Sequence, residues 1–259
     1  MEFKETLRPE SGEIKNRIVN YWTRRSHEFG ALREKEQESR TGRAWLREIK
    51  QNLPAGKVLK ILDVGCGTGM FSLMLSAEGH DVIGIDLTEH MILHAREIGE
   101  KQHSSAKFYC MDAENPDFPE DTFDVVISRN LTWTLPHVEQ AYEQWFRILK
   151  KRGILLNFDA DYGHDSCSKD QSALPPSHAH RSMPQEMLQE CENIKSQLAV
   201  SSKSRPIWDI HLLFAAGFQE VSADPTISAR IYKDCSEFYN PTPMFLIRAV
   251  KPQNQIKGE

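Results

Sequence analysis

Ile61-Leu-Asp-Val-Gly-Cys-Gly-Thr-Gly-Met-Phe71 is a short apolar run that closes on three spaced glycines and then turns apolar again. It reads as a buried strand, a glycine-rich turn and the start of a helix. Gly65, Gly67 and Gly69 leave the backbone bare, so a ligand can lie against the turn, and the helix opening near Met70 aims unpaired amide groups at it. The spacing is G-x-G-x-G, with Met70 where a dinucleotide-binding turn carries its third glycine, and Asp63 sits inside the end of the strand. That carboxylate would repel a pyrophosphate but not a cationic ligand.

Outward from the turn, Asp81-Val-Ile-Gly-Ile-Asp86 is a second short apolar strand. Its terminal acid falls about twenty residues after Gly65, where a carboxylate accepts both ribose hydroxyls, so the ligand reads as a nucleoside. Phe108-Tyr-Cys-Met-Asp112-Ala-Glu114 ends a third strand in acid, and Phe123-Asp-Val-Val-Ile-Ser-Arg129 is a fourth, preceded by the turn Pro119-Glu-Asp-Thr122.

With these motifs in this order, the run from about Leu59 to Asp159 resembles the class I S-adenosylmethionine-dependent methyltransferases. Within them it is similar to the small-molecule branch that includes the ubiquinone and menaquinone biosynthesis methyltransferases. The resemblance implies that Asp63 and the Gly65 backbone serve the methionine end of the cofactor, within a turn completed by Cys66, Gly67 and Gly69. It assigns the ribose to Asp86, followed by Leu87, and the adenine edge to Asp112 with Ala113. Arg129 and Asn130 would border the methionine moiety and the acceptor. One departure is the turn Leu149-Lys-Lys-Arg-Gly153, where the family usually has a Pro-Gly-Gly type turn; Arg152 is then expected in a backbone conformation that suits glycine.

The chain of 259 residues can bury a substantial core and is expected to form one domain. Its 32 basic and 37 acidic residues give a formal net charge of −5, without the broad positive surface of sequence-independent nucleic-acid binding. Cys66, Cys110, Cys167, Cys191 and Cys235 show no C-x-x-C spacing, and neither a leader-like segment nor a bilayer-length apolar run is evident. A reducing cytoplasm is the expected compartment. The expected partners are a small-molecule acceptor and, as an assembly, a homodimer, with neither nucleic acid nor membrane.

Residues 1–55 are expected to form two or three amphipathic helices, with Ile18, Tyr21, Trp22, Phe29, Trp45, Leu46 and Ile49 at helical spacing. Their aromatic stripe reads either as core packing or as a lid. In similar methyltransferases an N-terminal helix closes over the cofactor, a part open here to Tyr21, Trp22 and Arg25. Residues 56–160 alternate strand and helix, the pattern of a parallel sheet with helices on both faces. Ligands bind at the carboxyl ends of such strands, which brings the glycine turn, Asp86, Asp112, Arg129, Asn130 and Asp159 to one edge. Residues 161–205 break the alternation and read as a cap inserted after strand five, ending in a helix over about 184–200. Residues 206–252 close the domain with a helix near 208–216 and strands near 218–223 and 244–250. The fold class is therefore α/β: a Rossmann-like, seven-stranded, mostly parallel sheet with helices on both faces, one antiparallel strand, N-terminal helices and a cap.

Cys66 reads as a small apolar group beside the cofactor and not as a nucleophile. His164, His178 and His180 with Cys167, Asp159 and Asp161 lack metal-ligand spacing and read as a solvated loop, so no metal is expected. A base is needed only for an acceptor that enters protonated; the candidates are His164 and His137, with Tyr162 of the polar cluster Asn130, Thr132, Trp133, Asp159 and Tyr162 that reads as a substrate pocket. The expected reaction is methyl transfer to a small molecule. The rival readings are an RNA or protein methyltransferase, a non-catalytic nucleoside-binding module and a nicotinamide-dependent dehydrogenase.

Overall fold

The computed structural model of the chain describes residues 9–165, 174–176, 178, 181, 183–233 and 236–253. Of the residues weighed above, Cys167, His180 and Cys235 lie outside them. A seven-stranded sheet organises the molecule, in the order β3-β2-β1-β4-β5-β7-β6. The strands are β1 Lys60–Val64, β2 Asp81–Asp86, β3 Lys107–Cys110, β4 Phe123–Arg129, β5 Leu149–Ala160, β6 Gln219–Asp224 and β7 Met244–Val250. β7 lies antiparallel between β5 and β6, and every other pairing is parallel. This is the sheet the sequence predicts, with the antiparallel strand inserted one place in from the edge.

Alternation along the strands divides the core. Ile61, Val125 and Ile127 face one side of the sheet, while Leu62, Val64 and Val126 face the other. The first side receives α2 (Arg40–Asn52) and α3 (Met70–Ala77), which bury Trp45, Ile49, Phe71 and Leu75. α2 starts where the Ser39 hydroxyl caps the Gly42 amide at 3.2 Å. The second side receives α5 (Val138–Ile148), whose Ala141, Trp145 and Ile148 are fully buried. Burying a large apolar side chain of this kind contributes about 1.5–3 kcal/mol.

α1 (Pro9–Glu38) is a single long helix, and with α2 it makes two helices among the described N-terminal residues, within the two or three the sequence allows. It packs on α4 (Glu89–Lys101) and on α6 (Gln185–Gln197), the helix of the cap. Arg17 makes a two-pronged ion pair with Glu190 at 3.0 and 2.8 Å, and Arg24 pairs with Glu186, so helix and cap face each other directly. α7 (Ile207–Ala215) precedes β6, and the short α8 (Ile227–Ile231) between β6 and β7 has no counterpart in the sequence reading. Arg152 takes φ 59°, the left-handed conformation expected of it. Among the described residues no helix is long and apolar enough to cross a membrane.

Candidate active site

The parallel strands β1 to β5 deliver their carboxyl ends to one edge of the sheet. Because β7 runs the other way, with Met244 opposite Ala160, the loop that enters β7 reaches the same edge. Gly69 stands at the N-terminus of α3 with φ 87°, and a Cβ there would fall 2.9 Å from the Phe108 ring. At Gly65, φ 66°, a Cβ would collide with Leu131 at 2.7 Å. The two glycines thus serve different ends. Gly69 lets α3 close onto β3, whereas Gly65 opens the cavity described below.

Three acids surround the turn. Asp63 is 2 % exposed and accepts from the Ser72 amide at 3.0 Å and the Ser72 hydroxyl at 2.7 Å. Burial raises its pKa to about 7 against those two hydrogen bonds. Asp86 accepts from the Gly67 amide at 3.0 Å and the Thr88 amide at 2.8 Å, so it fixes the glycine turn as well as facing the cavity; burial raises its pKa too. Asp112 accepts from the Glu114 amide at 2.9 Å, and Lys15 of α1 pairs with both Asp112 and Glu114, at 2.5 and 2.6 Å. The Cys66 thiol is pushed well above its ordinary pKa by burial and by Asp63 and Asp86, which disfavours a nucleophilic role.

Arg129 ends β4 over the face of Trp45, 4.4 Å from the ring centroid, and bonds Glu36 of α1 at 2.8 Å. Asn130 follows in the left-handed conformation at φ 54°. Its side-chain oxygen accepts from the Tyr162 hydroxyl at 3.0 Å, while the Asn240 amide donates to that hydroxyl at 2.6 Å. The Tyr162 ring leans on Trp133 at 5.0 Å between centroids, and burial holds its phenol protonated well above the ordinary range. From α1, Arg25 donates to the Tyr21 hydroxyl at 3.2 Å and lies over the Trp22 ring.

Many of these groups line one cavity of about 570 Å³, within the size range of small-molecule sites. Of the residues the sequence singled out, Tyr21, Arg25, Asp63, Gly65, Cys66 and Gly67 lie on its wall. So do Asp86, Leu87, Asp112, Ala113, Arg129, Asn130 and Tyr162. Gly69, His137 and His164 do not. The His137 amide donates to Glu114 at 2.5 Å, and His164 is more than half exposed and bonds Asp161 at 2.9 Å. Asp159 and Thr132 are also absent from the wall; both are fully buried beneath it, bonded to each other and to Arg205.

Other wall residues escaped the sequence reading. His178, taken for a loop histidine, is buried there with Nε2 2.7 Å from the Tyr239 carbonyl, so Nε2 carries the proton. The segment 237–242 belongs to the wall because β7 is antiparallel, a signal available once that orientation is assigned. Two buried wall atoms have no hydrogen-bond partner among the described residues: the Thr68 hydroxyl and Arg129 Nε. Orphaned polar atoms beside three acids fit a ligand that carries both carboxylate and cationic groups along with a nucleoside, as S-adenosyl-L-methionine does.

Residues 61–153 match the family model for a methyltransferase domain. A phosphatidylethanolamine N-methyltransferase of Cereibacter sphaeroides is 35 % identical over 109 residues, 40 % of this chain and 53 % of that protein. Phosphoethanolamine N-methyltransferase 1 of Triticum aestivum is 35 % identical over 112 residues, 42 % of this chain and 22 % of that protein. The chain thus spans about half the length of such curated relatives, or less. Among solved structures, Haemonchus contortus phosphoethanolamine N-methyltransferase 2 in complex with S-adenosyl-L-methionine shares the fold. It superposes with a TM-score of 0.58 at 20 % identity, over 80 % of this chain and 52 % of that one. Over residues 61–153 the chain is thus similar to a methyltransferase domain, and the solved structure shares its fold.

Proposed function

We propose that this chain transfers a methyl group from S-adenosyl-L-methionine to a small-molecule acceptor, releasing S-adenosylhomocysteine. The observation that carries the reading is the single cavity in which the glycine turn and the acids Asp63, Asp86 and Asp112 meet an open half walled by Asn130, Trp133 and Tyr162. Bound S-adenosyl-L-methionine supplies a methyl group already activated on a sulfonium. The protein's contribution is then chiefly to position, orient and exclude water.

Asp63 would hold the ammonium of the methionine end, Asp86 the ribose hydroxyls, and Asp112 with the Ala113 backbone the adenine edge. Arg129 Nε and the Thr68 hydroxyl, both in want of a partner, would take the remaining polar groups of the same ligand. Tyr162 keeps its proton and therefore acts as a hydrogen-bonding wall, oriented by Asn130 and Asn240, and not as a base. α1 and the cap helix α6, ion-paired to each other, would cover cofactor and acceptor together. The finer likeness to the quinone-biosynthesis branch, a cytoplasmic setting and a homodimer belong to the same reading; motif order and the scattered cysteines support the first two.

Calorimetry with S-adenosylhomocysteine and with NAD, followed by an acceptor screen reading S-adenosylhomocysteine release, tests this function. Binding of the former in the micromolar range, about −8 kcal/mol, is expected. Tight binding of NAD alone would overturn it.

A further inference from the structure

Lys15 is a cation on the cavity wall, and its side chain is only 9 % exposed. α1 delivers it at the start of a buried stripe that continues through Ile18 and Tyr21. Its ammonium lies 2.5 Å from Asp112 Oδ2 and 2.6 Å from Glu114 Oε2. Burial works to lower its pKa, but the bonds to these two carboxylates prevail and raise it, so the group stays charged. An ammonium has three N–H donors. One donates to Asp112 Oδ2, Glu114 Oε2 stands 2.6 Å away as an ion-pair partner, and among the described residues the ammonium has no third partner.

The surroundings suit a flat ring. Asp86 pairs with Cys110 across β2 and β3, so Leu87 and Ala113 leave neighbouring strand ends together, and both line the cavity with Ile18. Apolar walls beside an edge that offers a carboxylate acceptor next to an ammonium donor complement a purine with an exocyclic amino group flanked by ring nitrogens. We propose that Lys15 reads the adenine ring: a remaining N–H donates to one of the two ring nitrogens that flank the amino group, N1 or N7, while Asp112 accepts from the amino group. The inference rests on the proposed cofactor and makes α1 part of its specificity. A 6-oxo purine would turn oxygen lone pairs toward Asp112 and bind more weakly.

Calorimetry on the full chain tests it, with S-adenosylhomocysteine and its 1-deaza, 3-deaza and 7-deaza analogues as probes. The parent, Lys15→Met and Lys15→Gln are compared after circular dichroism has shown each to be folded. For the parent, either the 1-deaza or the 7-deaza analogue should bind about tenfold more weakly than S-adenosylhomocysteine, as expected for one charge-assisted bond. For Lys15→Met, S-adenosylhomocysteine itself should weaken about tenfold and that analogue should show no further loss. Lys15→Gln, which keeps an N–H donor, should fall between. If the parent fails to bind S-adenosylhomocysteine, the proposed function falls. If it binds but Lys15→Met binds as well or better, or loses all four ligands in parallel, the reading of Lys15 is wrong. A parent indifferent to 1-deaza and 7-deaza substitution overturns it equally.

Discussion

Arg129 at the end of β4 closes its guanidinium on Glu36 of α1, Nη2 to Oε1 at 2.8 Å, with the carboxylate wholly out of solvent. The same carboxylate accepts from the Trp45 indole at 3.0 Å and pairs with Arg33. Burial alone would raise the Glu36 pKa, yet Arg129 and Arg33 outweigh it and hold the carboxyl below its ordinary value. The long helix, α2 and the central sheet are therefore joined through one charge, directly behind the cavity.

Replacing that charge should be costly. In Glu36→Gln two buried guanidinium groups lose their counter-ion, and the expected loss is about 3–5 kcal/mol of unfolding free energy. Urea unfolding followed by tryptophan fluorescence measures it. A loss near zero would show that the cluster relaxes into water and does not bind α1 to the sheet.

Asp63 should make both ligand binding and stability depend on pH. Its folded pKa of about 7 lies above that of an exposed carboxyl, so its protonated form contributes stability below about pH 4, and that contribution disappears as pH rises through 7. A cationic ammonium needs the ionised form. S-adenosylhomocysteine affinity should therefore climb by up to about tenfold per pH unit toward pH 7 and then level off. Asp63→Asn should flatten that profile, bind more weakly at pH 8, and melt at a higher temperature than the parent at pH 8 but not at pH 4. A parent profile with no inflection between pH 5 and 8 would rule out the elevated pKa.

Asp86 carries two duties, and its removal should show both. Asp86→Ala frees the Gly67 and Thr88 amides and takes away the expected ribose acceptor. S-adenosylhomocysteine binding should weaken by roughly 1.5–3 kcal/mol, the range for a hydrogen bond to a charged group. Equal affinity for variant and parent, with unchanged circular dichroism, would remove Asp86 from the ribose site.

The sheet was legible because its strands are short apolar runs ending in acid, and the rule that ligands gather at carboxyl ends brought the glycine turn, Asp86 and Asp112 to one edge, where Asp86 and Asp112 line one cavity. Arg152 was legible for a different reason: a turn that lacks its usual glycine must still take a left-handed residue. What escaped is tertiary. Nothing in the spacing of Lys15 or Glu36 along α1 says that each finds an opposite charge some ninety residues away. His178 lies in a stretch without apolar period, so only the fold shows it buried against Tyr239. Gly69 belongs to the motif, yet its neighbour is Phe108, and contacts of that kind depend on how α3 crosses β3.

Asp159 is the sharpest divergence between strand-end logic and structure, and it yields a discriminating experiment. It ends β5 near the ligand edge, as an acid should that contacts substrate. Instead its Oδ2 accepts from the Thr132 hydroxyl, from the Trp133 amide at 3.0 Å and from Arg205 at 3.3 Å, while Oδ1 accepts from the Ala160 amide at 2.8 Å. Arg205 in turn bonds Asp209 at 2.9 and 2.7 Å, and Asp209 accepts from Tyr142 at 2.7 Å. The network lies beneath the turn 131–134 and holds Trp133 against the cavity. Asp159→Asn keeps the shape but leaves Arg205 with less negative charge and places an amide N–H where donors converge. An expected loss of about 3–5 kcal/mol in stability follows from breaking a buried charged pair. S-adenosylhomocysteine affinity should stay within about threefold of the parent, under 1 kcal/mol, because no cavity atom is removed. Calorimetry beside urea unfolding separates the two. Weakened ligand binding without a stability loss would return Asp159 to the binding site and the strand-end reading with it.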